Sequence, residues 1–420
     1  MTTEFLHGVQ VQDIDDGSRT VSVSSSSVIG IVGTAPFADP VLFPLNTPVT
    51  VTSPTLAASL VSAANAAAAA AATTAQAAAV AAGTSTTIYP AIGTLSDALD
   101  SIFDQAGAAV VVVRVDVGAT DQLTMVNVIG GVDVTTGNYE GVHAFLAAQH
   151  LLNLKPRILI APGFTHIAAI AGGANAVVSE MIGIATTLRA VIFQDGPSTV
   201  DADALALAAV GGSQRIYLVD PMTQKVDSSG NVSNSWASAA FAGVQAYVDN
   251  AFGWWCSVSN NVINGIVGTS RVIDFAMGNP TSRANLLNAG NVGTIIRQNG
   301  FRTWGNRTLS ADPKWQFLCV VRTADIIADS LQDAHLWAVD QGITKNYVSE
   351  VQEGINAFLR GLVTLGAILG GTAWVDPDLN SAANIANGDV FWDFDFTPTY
   401  PAENLTFRSH LVNDYVSTIF

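Results

Sequence analysis

The feature that most constrains this chain is a series of short, β-branched apolar runs separated by segments of helical period. The first is Val28-Ile29-Gly30-Ile31-Val32-Gly33; others lie at 110–115, 157–161, 190–194 and 215–219, with 262–267 as a further one. Continuous apolar runs, unlike alternating ones, need cover on both faces, which is the condition of a parallel sheet. Helical patterns at 95–105, 139–152, 174–188, 201–210 and 235–250 supply that cover, at the length that parallel crossovers require. The expectation is an α/β unit over about residues 29–275, wound on both sides of its sheet.

From residue 276 the pattern changes to helices first and a late hairpin, which predicts a second, α+β unit over 276–404. One helix is expected at 326–339. Another, at 347–369, carries Val348, Val351, Ile355, Phe358, Leu362, Leu365 and Leu369 on one stripe, with Glu350, Glu353 and Arg360 mostly off it. Strand-like residues 390–396, a turn at 397–401 and the segment 405–416 complete the unit's end.

Both ends of the chain read as extended arms. At 1–28, Val9 and Val11 alternate with polar neighbours, Asp15-Asp16-Gly17 makes a turn, Val21 and Val23 alternate again, and Ser24 to Ser27 forms a flexible stretch. At 405–420 the apolar residues Leu405, Phe407 and Leu411 are set among polar ones. An unpaired strand at each end is a polymerisation device, because exposed backbone donors and acceptors seek a partner edge. The alternative is that each end folds back on its own unit.

Composition narrows the partners. A formal net charge of −17 argues against broad contact with nucleic acid or an anionic membrane surface. Charged residues make up 12% of the chain, about half of the roughly 25% usual for soluble domains, beside 49% hydrophobic residues. Such a balance suits a secreted protein, a membrane protein or a subunit whose surface is covered in an assembly. The start of the chain lacks the basic segment and apolar run of a signal peptide. The alanine-rich stretch at 59–89 is interrupted by Thr73, Thr74 and Gln76, and reads as a helix or surface insertion and not as a membrane span. Two cysteines, Cys256 and Cys319, form neither a disulfide framework nor a metal knuckle.

No set of residues carries catalytic chemistry. The histidines lack metal spacing, no phosphate-cradling GxxxxGK[ST] loop occurs, and no cofactor is expected. Gly268-Thr269-Ser270 is superficially similar to a subtilisin nucleophile tripeptide, but a serine needs a histidine base held by a carboxylate. No segment supplies that histidine, and His166 reads as a core or surface residue. Asp389, Asp393 and Asp395 share one face of a strand that solvent can cover, and a terminal hairpin is poorly placed to build a glycosidase cleft. A degenerate hydrolase and a surface-array or adhesin protein are the rival readings.

Laid out in order, the motifs resemble those of the phage tail sheath family, in particular the compact sheaths of temperate contractile phages and R-type pyocins. The likeness runs nearly end to end. It is carried by His7-Gly8-Val9, Val28-Ile29-Gly30 with Gly33-Thr34-Ala35-Pro36, Pro44-Leu45-Asn46-Thr47-Pro48, Ile129-Gly130-Gly131-Val132-Asp133 and Lys155-Pro156-Arg157-Ile158. Its most specific block is Gly300-Phe301-Arg302-Thr303-Trp304-Gly305-Asn306-Arg307-Thr308, supported by Ala334-His335-Leu336-Trp337 and Asp393-Phe394-Asp395-Phe396-Thr397-Pro398.

The resemblance implies a subtilisin-like doubly wound domain without the catalytic triad, joined to a C-terminal domain next to an inner tube. It also implies a structural, non-enzymatic subunit whose hexameric rings stack helically and contract to drive that tube through a cell envelope. Neighbours would be linked by exchanged arms through Val9, Val11, Val21, Val23, Leu405, Phe407 and Leu411, bending at Asp16, Gly17, Ser25 and Ser26. Glu350, Glu353, Asn356 and Arg360 become the tube-facing candidates. Further copies of the chain, the tail tube protein, and baseplate and tail terminator proteins are the implied partners, in a virion assembled in the host cytoplasm. The departure from the family is the length of the 59–89 insertion.

Overall fold

A computed structural model of the chain describes residues 21–82, 90–167, 173–226 and 230–419. Among these, one eight-stranded sheet dominates. Its strands are β1 (Ile29–Thr34), β2 (Val49–Val51), β3 (Val110–Val115), β4 (Ile158–Ile160), β5 (Val191–Asp195), β6 (Ile216–Val219), β7 (Val292–Arg297) and β8 (Phe301–Trp304). Across the sheet they run β8-β7-β6-β5-β4-β1-β3-β2, parallel from β7 to β3, with β8 and β2 antiparallel at the two rims.

The β-branched runs form these strands because both faces are covered. Ile29, Ile31, Val110, Val112, Ile158 and Ile160 enter one core, against the helices Leu95–Phe103 and Ala237–Ala251. Val32, Val111, Val113 and Leu159 enter the other, against Ala176–Leu188 and Asp201–Gly211. Gly30 sits where the layers pack closely: a Cβ there would lie 2.9 Å from both Leu159 and Pro156.

The sheet does not stop at residue 275. Strands β7 and β8 lie beyond the expected boundary, yet β7 pairs with β6 through Val292 and Gly293, so the α/β unit continues through the Trp304 region. The run 262–267 is no strand; it passes the sheet as a loop, touching β8 by a single bridge at Val262 and Arg302. Residues 139–152 also depart from one helix, because Gly141 adopts φ +57° after a two-residue strand and a 3-10 segment precedes the short helix Ala148–Leu152.

The alanine-rich insertion forms a helix over Ala66–Ala81, of which only Ala69 is buried. Residues 83–89 of that insertion lie outside the described residues. No helix among the described residues is long and apolar enough to cross a membrane.

After the sheet come two long helices, α1 (Leu318–Ala334) and α2 (Lys345–Leu365), and an antiparallel hairpin of β9 (Ile368–Val375) and β10 (Trp392–Pro398). Thr344 caps α2 by accepting from the Tyr347 amide at 3.2 Å, and Gly366, at φ +80°, ends it in the left-handed region. That stop shortens the expected helix, so Leu365 and Leu369 are 58% and 66% exposed and do not extend the stripe. The buried stripe is Val351, Ile355, Phe358, Leu359 and Leu362, packed on Ile326 and Ile327 of α1 and on Ile368 and Ala373 of β9. Strand β10 pairs with β9 and not with 405–416, because Gly366 turns the chain directly into an eight-residue strand.

Candidate assembly interface

Helix α1 joins the hairpin unit to the large sheet through charges that sequence periodicity does not reveal. Asp329, 1% exposed, meets Lys155 at 3.0 Å, Arg189 at 2.7 Å and the Arg157 guanidinium. One turn earlier Asp325 meets Arg215, and burial pushes the Asp325 carboxyl above the usual carboxylate range against the pull of that arginine. Arg322 holds Asp249 through both its terminal nitrogens, at 2.6 and 2.5 Å. The spacing 322, 325, 329 was a helical signal available in the sequence, but its partners lie far along the chain.

This helix also pins the incoming N-terminal segment. The Ser24 amide donates to Ser330 Oγ at 3.1 Å, the Ser24 hydroxyl to Asp333 at 2.8 Å, and Arg322 donates to the Ser26 carbonyl at 3.0 Å. Ser26 is buried, and Val21 packs against the hairpin unit's core. Three hydrogen bonds, at Ser24 and Ser26, thus hold the chain where a hinge at Ser25 and Ser26 is expected. Val23 is 42% exposed. Val9, Val11, Asp16 and Gly17 lie outside the described residues.

The hairpin's two edges differ. On the β9 side, Asn356 of α2 donates to the Ala373 carbonyl at 3.1 Å and accepts from its amide at 2.8 Å, while Gln352 donates to the same carbonyl at 3.2 Å. Asn356, one of the tube-facing candidates, thus caps a strand edge. Glu350, Glu353 and Arg360 are exposed on the same helix, with Glu353 and Arg360 3.7 Å apart.

On the β10 side the edge is open. Ala373 lies opposite Phe394, and in an antiparallel pair both members of such a couple turn their peptide groups outward. Among the described residues, no group bonds to the outward peptide groups of Phe394 and Phe396. The two phenylalanines stack with centroids 6.3 Å apart, Phe396 touching the core and Phe394 38% exposed. Asp393 and Asp395 alternate with them and face away from α2.

A segment of strand length follows. Arg307 grips Glu403 with two hydrogen bonds, of 2.8 and 2.5 Å, and beyond that clamp the chain leaves the body. Leu405 is 68% exposed, Phe407 91% and Leu411 100%, with no strand partner among the described residues. Monomeric proteins rarely present such a run of apolar side chains to water.

The residues of the hydrolase reading are not brought together. Ser270 Oγ meets Ser198 Oγ at 2.6 Å, and His166 stacks on Trp236 with centroids 4.2 Å apart. Burial depresses the His166 imidazole to about 4, and lifts the fully buried Asp195 carboxyl to about 7. Asp195 accepts from the Ser238 amide at 2.8 Å and hydroxyl at 2.7 Å, so its partners are serine and not histidine. Among the described residues, no three or more His, Cys, Asp or Glu side chains cluster to hold a metal ion.

A body knit together by buried ion pairs, with an open strand edge and an uncovered strand-like terminus, is an assembling structural subunit. Comparison supplies the family. Residues 137–309 match the phage tail sheath protein central domain and 310–411 the phage tail sheath C-terminal domain. A prophage major tail sheath protein of Pseudomonas aeruginosa is 40% identical over 99% of this chain and 98% of its own, and the tail sheath protein of Escherichia phage P2 is 33% identical over the same shares. The fold matches a chain of the anti-feeding prophage helical sheath in its contracted state, with a TM-score of 0.66 at 18% identity over 97% of this chain and 99% of that one. It also matches a chain of an extracellular contractile injection system sheath complex in the contracted state, with a TM-score of 0.65 at 14% identity over 99% and 100%. The chain belongs to the phage tail sheath family and is a structural protein, not an enzyme.

Proposed function

We propose that this chain polymerises as stacked hexameric rings around a tail tube and contracts to drive that tube through a target envelope. The observation that carries the reading, beside the family, is that the chain carries both an uncovered segment, 405–411, and an open sheet edge at β10. Copies linked by such segments stay joined while the bodies rotate, because a backbone pairing tethered by a flexible lead is insensitive to body orientation. The bending point on the N-terminal side lies before Val21, at Asp16-Gly17, since the chain from Val21 onward is held down.

In this reading the large sheet is a subtilisin-like doubly wound domain that has lost its triad, and the division between units falls near 309–310 and not at 275. The strand order and the ends of the family matches support both points. The tube lies against Glu350, Glu353 and Arg360; baseplate and terminator proteins meet the two ends of the polymer. Assembly takes place in the host cytoplasm and yields a virion tail.

Deleting 405–420, which spares the Arg307–Glu403 clamp, should leave the folded monomer's circular dichroism unchanged and abolish the hollow cylinders that the intact chain forms in negative-stain images. Regular cylinders from the shortened chain would refute the reading.

A further inference from the structure

We infer that the two rims of the eight-stranded sheet are complementary surfaces, and that the basic, apolar rim at β8 of one copy docks against the acidic, apolar rim at β2 of the next. This rests on the reading above that copies polymerise. It adds a contact between the sheet bodies themselves, made without either terminal segment.

The β2 rim gathers three pieces of chain. Leu45 bridges to Arg114 of β3, beside β2. Asn46 donates to the Glu140 carboxylate at 3.3 Å and accepts from the Gly141 amide at 3.1 Å, which draws residues 39–46 and 131–140 together. Asn127 of the helix Asp121–Ile129 donates to the Asp116 carbonyl at 3.0 Å and so joins the end of β3 to them. Val41, Val117, Val126 and Val134 stand exposed there. Residues 36–51 and 116–140 carry Asp39, Asp116, Asp121, Asp133 and Glu140 and neither lysine nor arginine. The carboxylates of Asp116 and Asp133 accept from local amides and a threonine hydroxyl, and not from a cation.

The β8 rim is its counterpart. Residues 260–263 already bond to the outward peptide groups of Phe301 and Thr303, so side chains and not a further strand must make any contact there. Arg302 donates to the carbonyls of Gln298 at 3.0 Å and Asn260 at 2.8 Å, and Arg297 lies over the Phe301 ring at 5.5 Å. Neither meets a carboxylate among the described residues, whereas Arg189, Arg215, Arg271 and Arg283 of the same unit all do. Val262 bridges to Arg302, and Phe275 packs edge-on against Trp304, which brings the exposed Met277 to the same rim. Residues 292–304 contain no acidic residue. Apolar patches bordered by opposite charge select each other. Because the two surfaces differ and stand at the two ends of one sheet, their contact is head-to-tail, which propagates into rings or helices and not into closed pairs.

Zero-length coupling tests the contact. The full chain carrying Arg297→Lys and Arg302→Lys keeps both charges and supplies amines that a carbodiimide joins to touching carboxylates. In assembled cylinders, mass spectrometry should find position 297 or 302 joined to Asp116, Asp133 or Glu140. The rims are about 33 Å apart across one sheet at the usual strand spacing, so such a joint forms only between copies. Cylinders that form without it overturn the inference. Charge reversal is the second measurement. Arg297→Glu with Arg302→Glu, and in a separate chain Asp116→Arg with Asp133→Arg, should each lose cylinders while circular dichroism shows a folded monomer. An equimolar mixture of the two should regain them, since the variants alternate around a ring of six and every contact again joins opposite charges. Cylinders from either variant alone, or none from the mixture of two folded chains, overturn the contact as well. An intact chain that forms no cylinders at all overturns the polymerisation reading and this contact with it, whereas intact cylinders without the cross-link overturn the contact alone.

Discussion

The seam under helix α1 and the edge of strand β10 both carry aspartates, and their surroundings could hardly differ more. Under α1, Asp325 and Asp329 are buried and paired with Arg215, Lys155, Arg157 and Arg189 of the same chain. At β10, Asp395 is exposed and accepts from the Thr372 amide at 2.9 Å, Asp393 bonds to Asp376, and a partly exposed phenylalanine lies between them. Charges enclosed within one chain fix the relation of two parts, because moving either part strands an ion away from water. Carboxylates at an exposed hairpin keep water as well as their local hydrogen bonds, and fix nothing beyond the strand they stand on. The molecule is thus saturated with ion pairs where its two parts meet and leaves peptide groups open along β10.

The seam can be broken at one residue. Asp329→Ala leaves three cations without their shared carboxylate and should cost about 3–5 kcal/mol of unfolding free energy, measured by urea denaturation. Asp329→Asn, which keeps the shape, should recover part of it. A loss below about 1 kcal/mol would show that the seam behaves like surface charge and does not lock the two parts together.

The α/β layers were legible because their residues announce themselves locally. The run Val110–Val115 matches its strand end to end, and the helix Asp201–Gly211 ends within a residue of its pattern. Local pattern failed where the deciding partner is distant. Residues 292–304 look like the start of a second unit until β7 finds β6, and Ser24 to Ser27 look loose until Arg322 and Ser330 hold them. Gly366 misled in another way: its small neighbours prolong a helical stripe on paper, but its positive φ turns the chain into β9. Of the assembly surface, the sequence showed the alternation of Leu405, Phe407 and Leu411. It did not show that one hairpin edge is capped, since Asn356 and Ala373 meet only in three dimensions.

That cap is the next point at which to press the comparison. Asn356→Ala removes two hydrogen bonds and leaves the amide of the buried Ala373 unsatisfied, a loss of about 1–3 kcal/mol. Thermal melts should register it. The more informative result is in assembly: with both edges of the hairpin open, copies should join through β9 as well as β10, and negative-stain fields should show irregular aggregates beside cylinders. Cylinders as uniform as those of the unaltered chain would mean that the cap is not what directs neighbours to β10.

The smallest effect on stability is expected on the outer face of α2. Glu350 and Glu353 bury nothing, and the 3.7 Å approach of Arg360 to Glu353 lies at the solvent surface, where ion pairs contribute little to folding. Glu350→Lys with Glu353→Lys should therefore leave the melting temperature where it is. A tube-facing role predicts a separate change: sheath-like cylinders still form, since neither the seam nor the β10 edge is touched, but they no longer retain tube protein in co-sedimentation. Tube retention by the charge-reversed chain would take this face of α2 out of the tube contact and leave its carboxylates as solubilising surface. Loss of cylinders together with tube would instead place the two glutamates between copies, and the division of the hairpin unit into a tube face and a neighbour edge would have to be redrawn.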